Sequence, residues 1–454
     1  MGMPVDIGER RQANILVLAP IGRIDNITSP EFQGRLLAAV RSSSTDIVVD
    51  FSGVEYISSA GLRTLMVASR QKPAERRLGV ARLNAVVHEI FTISRFSHLV
   101  PVFATVEEAG AAWQLPPQTD RAEPRAGAEA ALAGSLGVRF WGTRGSLPAP
   151  LGEHAVRGKI RDALLAARGR VLDTPEAIDS FIDDALPFSV RGTFGGNTSC
   201  VEIVTGGDEY LLCDLGTGVR EFGNRLLREH GPQRKHIFNI FLSHPHWDHI
   251  MGFPFFAPAY IPGNHIRVYG CHDVLRQALR AQHSAPCFPV DFESLAARIE
   301  FVTLEPGQPY EIADLSVISI KQLHTGDSFG YRFSREGKSI VYSTDCEHKY
   351  SSLDESYPFV EFYRNTDLLI FDAMYSLGDS VSVKEDWGHS SNVIAVELAH
   401  RAQVKRLVLF HHEPAYDDRM IEQVFADTVR FEEINRSRQK VEVISAYDGL
   451  ELEV

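Results

Sequence analysis

Cysteine is scarce: Cys200, Cys213, Cys271, Cys287 and Cys346 are the only five in 454 residues, and no two have paired spacing. That excludes a disulfide-stapled scaffold and suggests free thiols in a reducing compartment, with the cytoplasm as the expectation. Positive charge is also in deficit, 46 Lys and Arg against 59 Asp and Glu, for a formal net charge of −13. A general affinity for nucleic acid needs a basic surface, so bulk nucleic acid is not the expected partner. A small anionic substrate stays open if bound cations supply the local charge. No apolar run approaches the length of a membrane span, and residues 1–10 lack the apolar centre of a secretory signal. What is present is the composition of a folded protein, 44% hydrophobic and 23% charged, over a length that calls for two or three domains.

The densest chemistry lies in Phe241-Leu-Ser-His-Pro-His-Trp-Asp-His249, directly after the apolar run Ile237–Leu242. The run reads as a buried strand, so His244, His246, Asp248 and His249 sit on the loop at its C-terminal end. A single His beside a strand is ordinarily a capping or surface residue. Three His and one Asp within six residues are a ligand cluster, because neutral imidazole and carboxylate suit Zn, Mn or Fe.

The N-terminal third alternates strands and helices, the pattern of an α/β domain ending near Gly110. Asn14–Ala19 reads as a strand. Ser29 and Pro30 open a helix reaching about Val40, and Asp46–Phe51 is a continuous apolar strand. Leu62, Leu65, Met66 and Ala68 recur at helical spacing, which puts Ser58 and Ser59 at a helix N-terminus. Leu78–Leu83 and Val100–Phe103 read as strands around a helix from Ala85 to Ile93. The stretch Asp50-Phe-Ser-Gly-Val-Glu-Tyr-Ile-Ser-Ser-Ala-Gly-Leu62 resembles the STAS family of anti-sigma-factor antagonists, and the resemblance spans most of residues 10–110. It implies a kinase or anti-sigma-type partner and phosphorylation at Ser59, where a phosphate would meet free amides and the positive end of the helix dipole. Ser58 departs from the family pattern, in which Asp is usual. Residues 111–137, with Pro, charge and strings of Ala and Gly, read as a flexible linker.

From residue 138 a second domain begins with a strand and a Gly-rich turn, followed by a helical insertion near 150–190. Further chemistry-bearing residues follow apolar strands: Asp214 after Tyr210–Cys213, His324 after Leu315–Leu323, Asp345 after Ser339–Thr344, and His411 and His412 after Arg406–Phe410. Strand ends bring distant parts of a chain to one rim, as a metal site requires. The order Asp214; His244, His246, Asp248, His249; His324; Asp345; His411 resembles the metallo-β-lactamase-fold hydrolases across residues 138–454. The resemblance implies an αββα sandwich holding two divalent metal ions. His244, His246 and His324 would hold one ion and Asp248, His249 and His411 the other. Asp345 would bridge them and Asp214 would orient the ligand loop. His411 is preferred to His412 because it directly follows its strand. His324-Thr-Gly-Asp-Ser-Phe-Gly-Tyr-Arg332, and Asp372 followed by Gly388-His-Ser-Ser-Asn392, resemble the phosphodiesterase branch. There an acidic residue and a His assist the leaving group, roles carried to Asp372 and His389.

The expectation is a dinuclear-metal hydrolase, with Zn favoured over Mn or Fe, acting on a cyclic nucleotide or other small phosphodiester. Asp248, Asp345, His389 and Asp372 would be its catalytic residues. Two rivals are hydrolysis of a thioester, lactone or amide, and a STAS signalling partner whose metal domain is a sensor. No membrane partner is expected, and a homo-oligomer is left open. The aromatic segment from Phe253 to Pro262 reads equally as a pocket lining or as core.

Overall fold

The computed structural model describes residues 6–12, 14–24, 28–57, 59–73, 76–93, 100–114, 136–348, 356–375, 387–436 and 439–454. The chain divides into two compact units, Met1–Pro124 and Arg125–Val454.

In the N-terminal unit the strands Ile15–Ile24, Asp46–Asp50, Leu78–Ala81 and Val102–Phe103 run parallel in one sheet. Phe32 and Leu36 of helix Ser29–Ser42, with Leu65 of helix Ser59–Gln71, close its core against Leu18, Val49 and Phe51. Two strands escaped the sequence reading. Asp6–Gln12 pairs antiparallel at the sheet edge, where backbone bonding tolerates an exposed polar run; Gly53–Ile57 pairs with the far end of Ile15–Ile24. The unit also runs past the expected boundary at Gly110. Helix Val106–Gln114 continues it, with Val106 and Ala109 buried and Trp113 edge-on to Phe103 at 5.4 Å. Its end, from Ala111, looks like linker because only Trp113 anchors it there, while Val106 and Ala109 pack on Ile15, Val17 and Val48. The rest of the expected linker, 115–135, lies outside the described residues.

The C-terminal unit is the expected αββα sandwich. Two seven-stranded sheets face each other. Phe140, Leu211 and Phe241 of one pack into Tyr331, Phe333, Tyr342, Ile370 and Val408 of the other. Helix Val219–His230 covers the outer face of the first sheet through Phe222 and Leu226. Helix Asn392–Arg401 covers the second through Ala395, Val396 and Leu398. Glu209–Cys213 and Ile237–Phe241 are parallel neighbours in the first sheet; Lys338–Ser343, Leu368–Asp372 and Arg406–Phe410 are parallel neighbours in the second. Leu315–Gln322 is separated from Lys338–Ser343 by one antiparallel strand, so it runs the same way. All these C-terminal ends therefore reach one rim. The insertion forms helices Glu153–Ala166 and Pro175–Ala185 and a short third, Phe188–Arg191.

Candidate metal centre

Three residues on this rim turn the chain with a backbone that side chains rarely adopt: Asp214 (φ 62°), Asp345 (φ 21°) and His411 (φ 63°) each follow the last residue or two of a strand. Such strain persists only where the surroundings over-determine it, and it clusters at functional positions. Here it brings Asp345 and His411 to the histidines of the loop after Ile237–Phe241 and sets Asp214 behind His249.

The donors form two sets. In the first, Nδ1 of His246 lies 2.9 Å from Nε2 of His244 and 3.0 Å from Nε2 of His324. In the second, Nε2 of His249 and Nε2 of His411 each lie 3.2 Å from Oδ2 of Asp248 and 3.2 Å from Oδ1 of Asp345. The other oxygen of Asp345, Oδ2, stands 3.6 Å from Nε2 of both His244 and His324, so this carboxylate faces both sets. Among the described residues these are groups whose ligand atoms lie within 4.8 Å of one another.

A divalent metal fits this arrangement on two grounds. A tetrahedral ion with nitrogen ligands at about 2.0–2.1 Å holds them about 3.4 Å apart, close to the separations here. Second, the buried Nε2 of His249 has no hydrogen-bond partner, although its ring is otherwise fixed. A buried polar atom without a partner is costly, and a cation would satisfy it.

The electrostatics of the first set agree with a ligand role; in the second, burial opposes charge on His249 but Asp248, Asp345 and Asp214 outweigh it and lift the ring well above its usual range, a charge that a bound cation would replace. Burial pushes His244, His246 and His324 below the usual histidine range, leaving neutral rings with free lone pairs. Burial opposes charge on Asp248 and Asp345, but His249 and its histidine neighbours outweigh it and hold both carboxylates far below their ordinary range.

Asp214 sits outside the ligand sets. It accepts from the amide and hydroxyl of Ser243, from the Tyr342 phenol, and from Nδ1 of His249 at 2.7 Å. His389 lies beside the second set: its Nδ1 is 2.9 Å from Oδ2 of Asp372 and 3.9 Å from Oδ2 of Asp345, and its ring stacks on His411 at 5.1 Å. Burial opposes a charge on His389, but Asp372 with Asp345 and Asp248 beyond it lifts the ring to about 9. His412 points away: its Nε2 donates to the Ala446 carbonyl at 2.8 Å.

Sequence reasoning missed several supports. The Gly388 carbonyl accepts from Nδ1 of His324 at 2.9 Å, and only glycine fits there, at φ +82° with a Cβ position 2.2 Å from that nitrogen. The Ser146 amide donates to Oδ2 of Asp248 at 2.8 Å, a contact that no sequence spacing announces. The glycine of the Gly388-His389 pair was the one available signal. In the aromatic segment, Phe253 and Phe256 are fully buried and belong to the core, while Phe255 is 57% exposed. Ser59 opens its helix, and Ser58 lies outside the described residues.

A family profile described as "Beta-lactamase superfamily domain" matches residues 209–412, and one described as "Mlab, STAS domain" matches residues 7–101. Ribonuclease Z of Prochlorococcus marinus (strain MIT 9515) is 25% identical over 267 residues, 47% of this chain and 81% of the relative. BtrV of Bordetella bronchiseptica (strain ATCC BAA-588 / NCTC 13252 / RB50), named as an anti-sigma factor antagonist, is 32% identical over 101 residues, 22% of this chain and 87% of the relative. Among solved structures, the metallo-beta-lactamase fold protein YhfI from Bacillus subtilis matches with a TM-score of 0.47 and 17% identity, covering 70% of this chain and 99% of that one.

Proposed function

We propose that this chain, which belongs to the beta-lactamase superfamily in its C-terminal unit and to the STAS domains in its N-terminal unit, is a two-metal phosphodiesterase acting on a small phosphodiester such as a cyclic nucleotide. The observation that carries the reading is the His389–Asp372 pair, 2.9 Å apart and beside a complete set of metal donors. His244, His246 and His324 would hold one ion; Asp248, His249 and His411 the other; Asp345 would bridge them. Divalent ions there, with Zn first and Mn or Fe as alternatives, would supply hydroxide near neutral pH and offset charge on the phosphoryl oxygens. His389 would give its proton to the departing alkoxide, and Asp372 holds the ring in orientation for that transfer. Relatives named Ribonuclease Z support phosphodiester over thioester, lactone or amide chemistry. Trp247 and Phe255, 74% and 57% exposed near the ligand loop, offer faces on which a base can stack.

The test is a panel of bis-p-nitrophenyl phosphate, cyclic nucleotides, a thioester, a lactone and a β-lactam, with and without chelator. Chelator-sensitive turnover of the phosphodiesters, restored by Zn or Mn, is expected. Turnover confined to the carbonyl substrates would replace this reading with the rival hydrolase.

The STAS unit adds a regulatory reading, in which a partner kinase phosphorylates Ser59 at the start of helix Ser59–Gln71. A phosphate there is favoured by the helix dipole. Intact-mass analysis of protein from its native host would detect the added group. Failure of Ser59→Asp to alter either turnover or partner capture would remove the switch.

A further inference from the structure

Helix Glu153–Ala166 has its apolar face outward. Two of its charged residues face the body of the unit: Lys159 Nζ lies 2.6 Å from Oδ2 of Asp418 and donates to the Gly192 carbonyl at 2.8 Å, and Asp162 pairs with Arg419, while Glu153, Arg157 and Arg161 share the outward side. Val156, Ile160 and Leu164, four residues apart and so on one side, are 43%, 57% and 67% exposed, and no residue of the helix is buried. An ordinary surface helix does the reverse. The stripe lines an open cavity of ≈ 800 Å³ that also carries Arg157, Arg161 and Arg168. A contiguous apolar patch with a polar rim marks an interaction face.

The second helix of the insertion, Pro175–Ala185, has the opposite charge. Glu176, Asp179, Asp183 and Asp184 lie on it with no basic residue, and Ile178 and Ile182 are exposed. Among the described residues Arg157, Arg168, Glu176 and Asp179 have no ion-pair partner.

We propose that the occupant of this face is a second copy of the chain. Arg157 and Arg161 of helix Glu153–Ala166 of each protomer lie against Glu176 and Asp179 of helix Pro175–Ala185 of the other, about a two-fold axis. In a two-fold contact the surface that residue i offers to j is also offered by j to i, so one insertion carrying both signs is self-complementary. An anionic membrane or nucleic acid would satisfy the arginines but leave Glu176 and Asp179 of the acidic helix without a partner. A second copy satisfies both helices at once. None of the residues involved belongs to the metal donor sets, so assembly and hydrolysis are separable.

Sedimentation and light scattering of the full-length chain at micromolar concentration should show a dimer. Ile160→Glu with Leu164→Glu should weaken it at least about 30-fold, the scale of losing central interface anchors. Arg157→Glu with Arg161→Glu should give a monomer, and so should Glu176→Arg with Asp179→Arg. Mixing these last two variants should recover a dimer, because the reversed helix of each then meets the reversed helix of the other and the two unreversed helices meet each other. Turnover of bis-p-nitrophenyl phosphate and far-UV dichroism should match wild type throughout, which reports that the variants are folded. A monomeric wild type, a dimer that these exchanges leave intact, no recovery on mixing, or binding to anionic vesicles in place of self-association would each overturn the proposal.

Discussion

Oδ2 of Asp214 lies 2.7 Å from Nδ1 of His249, with both side chains fully buried. Ser243 and Tyr342 hold the same carboxylate, so the His249 ring is clamped from behind. Its other nitrogen is thereby aimed at Asp248 and Asp345, where it finds no hydrogen bond. A carboxylate behind a ligating histidine orients the ring and raises its basicity.

Replacing that carboxylate should therefore be felt at the metal rather than in the chemistry. For Asp214→Ala, competition with a chromogenic chelator should show metal affinity falling about 10- to 100-fold. Turnover should recover in part at high metal concentration. Unchanged affinity would mean that the clamp does not govern the ring.

His389 makes a different prediction, because its task depends on the leaving group. His389→Gln should lower kcat by about 10²- to 10⁴-fold for an alkyl phosphodiester, whose alkoxide needs a proton. A p-nitrophenyl diester leaves as a stable phenolate and should lose far less. Equal losses on both substrates would assign His389 a positioning role.

A pH effect on stability should arise at His348, away from the ligands. Burial lowers this ring from the ordinary value of 6.5 to about 3, against Phe371 and the Tyr357 hydroxyl. The unfolded chain takes up the proton first, so stability is complete above about pH 6.5 and is lost as pH falls toward 3. The loss from this residue is about 1.4 kcal/mol per pH unit inside that window. Urea midpoints at pH 7 and pH 5 should differ less in His348→Phe than in wild type, and an equal difference would acquit the residue.

The ligand loop was legible because its chemistry is local. His244, His246, Asp248 and His249 stand within six residues, and the apolar strand ahead of them is a period signal that needs no tertiary knowledge. His324, Asp345 and His411 were reachable because each follows a strand, although only their order along the chain joined them. The end of helix Val106–Gln114 was not legible, since from Ala111 its small residues look like linker until Trp113 meets Phe103. The edge strand Asp6–Gln12 was hidden for a similar reason: its stability comes from backbone pairing with Ile15–Ile21, and its side chains carry no pattern.

By itself the sequence determined which residues can ligate and which stretches form the strands that carry them, because ligand chemistry and side-chain period are properties of neighbours in the chain. Only the tertiary structure decided that Asp345 faces both donor sets, that His411 rather than His412 turns toward Asp248, and that Gly388 holds His324. It alone also revealed that helix Glu153–Ala166 wears its apolar face outward, since the same period fits a helix turned either way. Those facts depend on how parallel strands from two sheets end on one rim and on what lies across the gap. Distances between residues up to about 160 positions apart are set by packing, which no local pattern records.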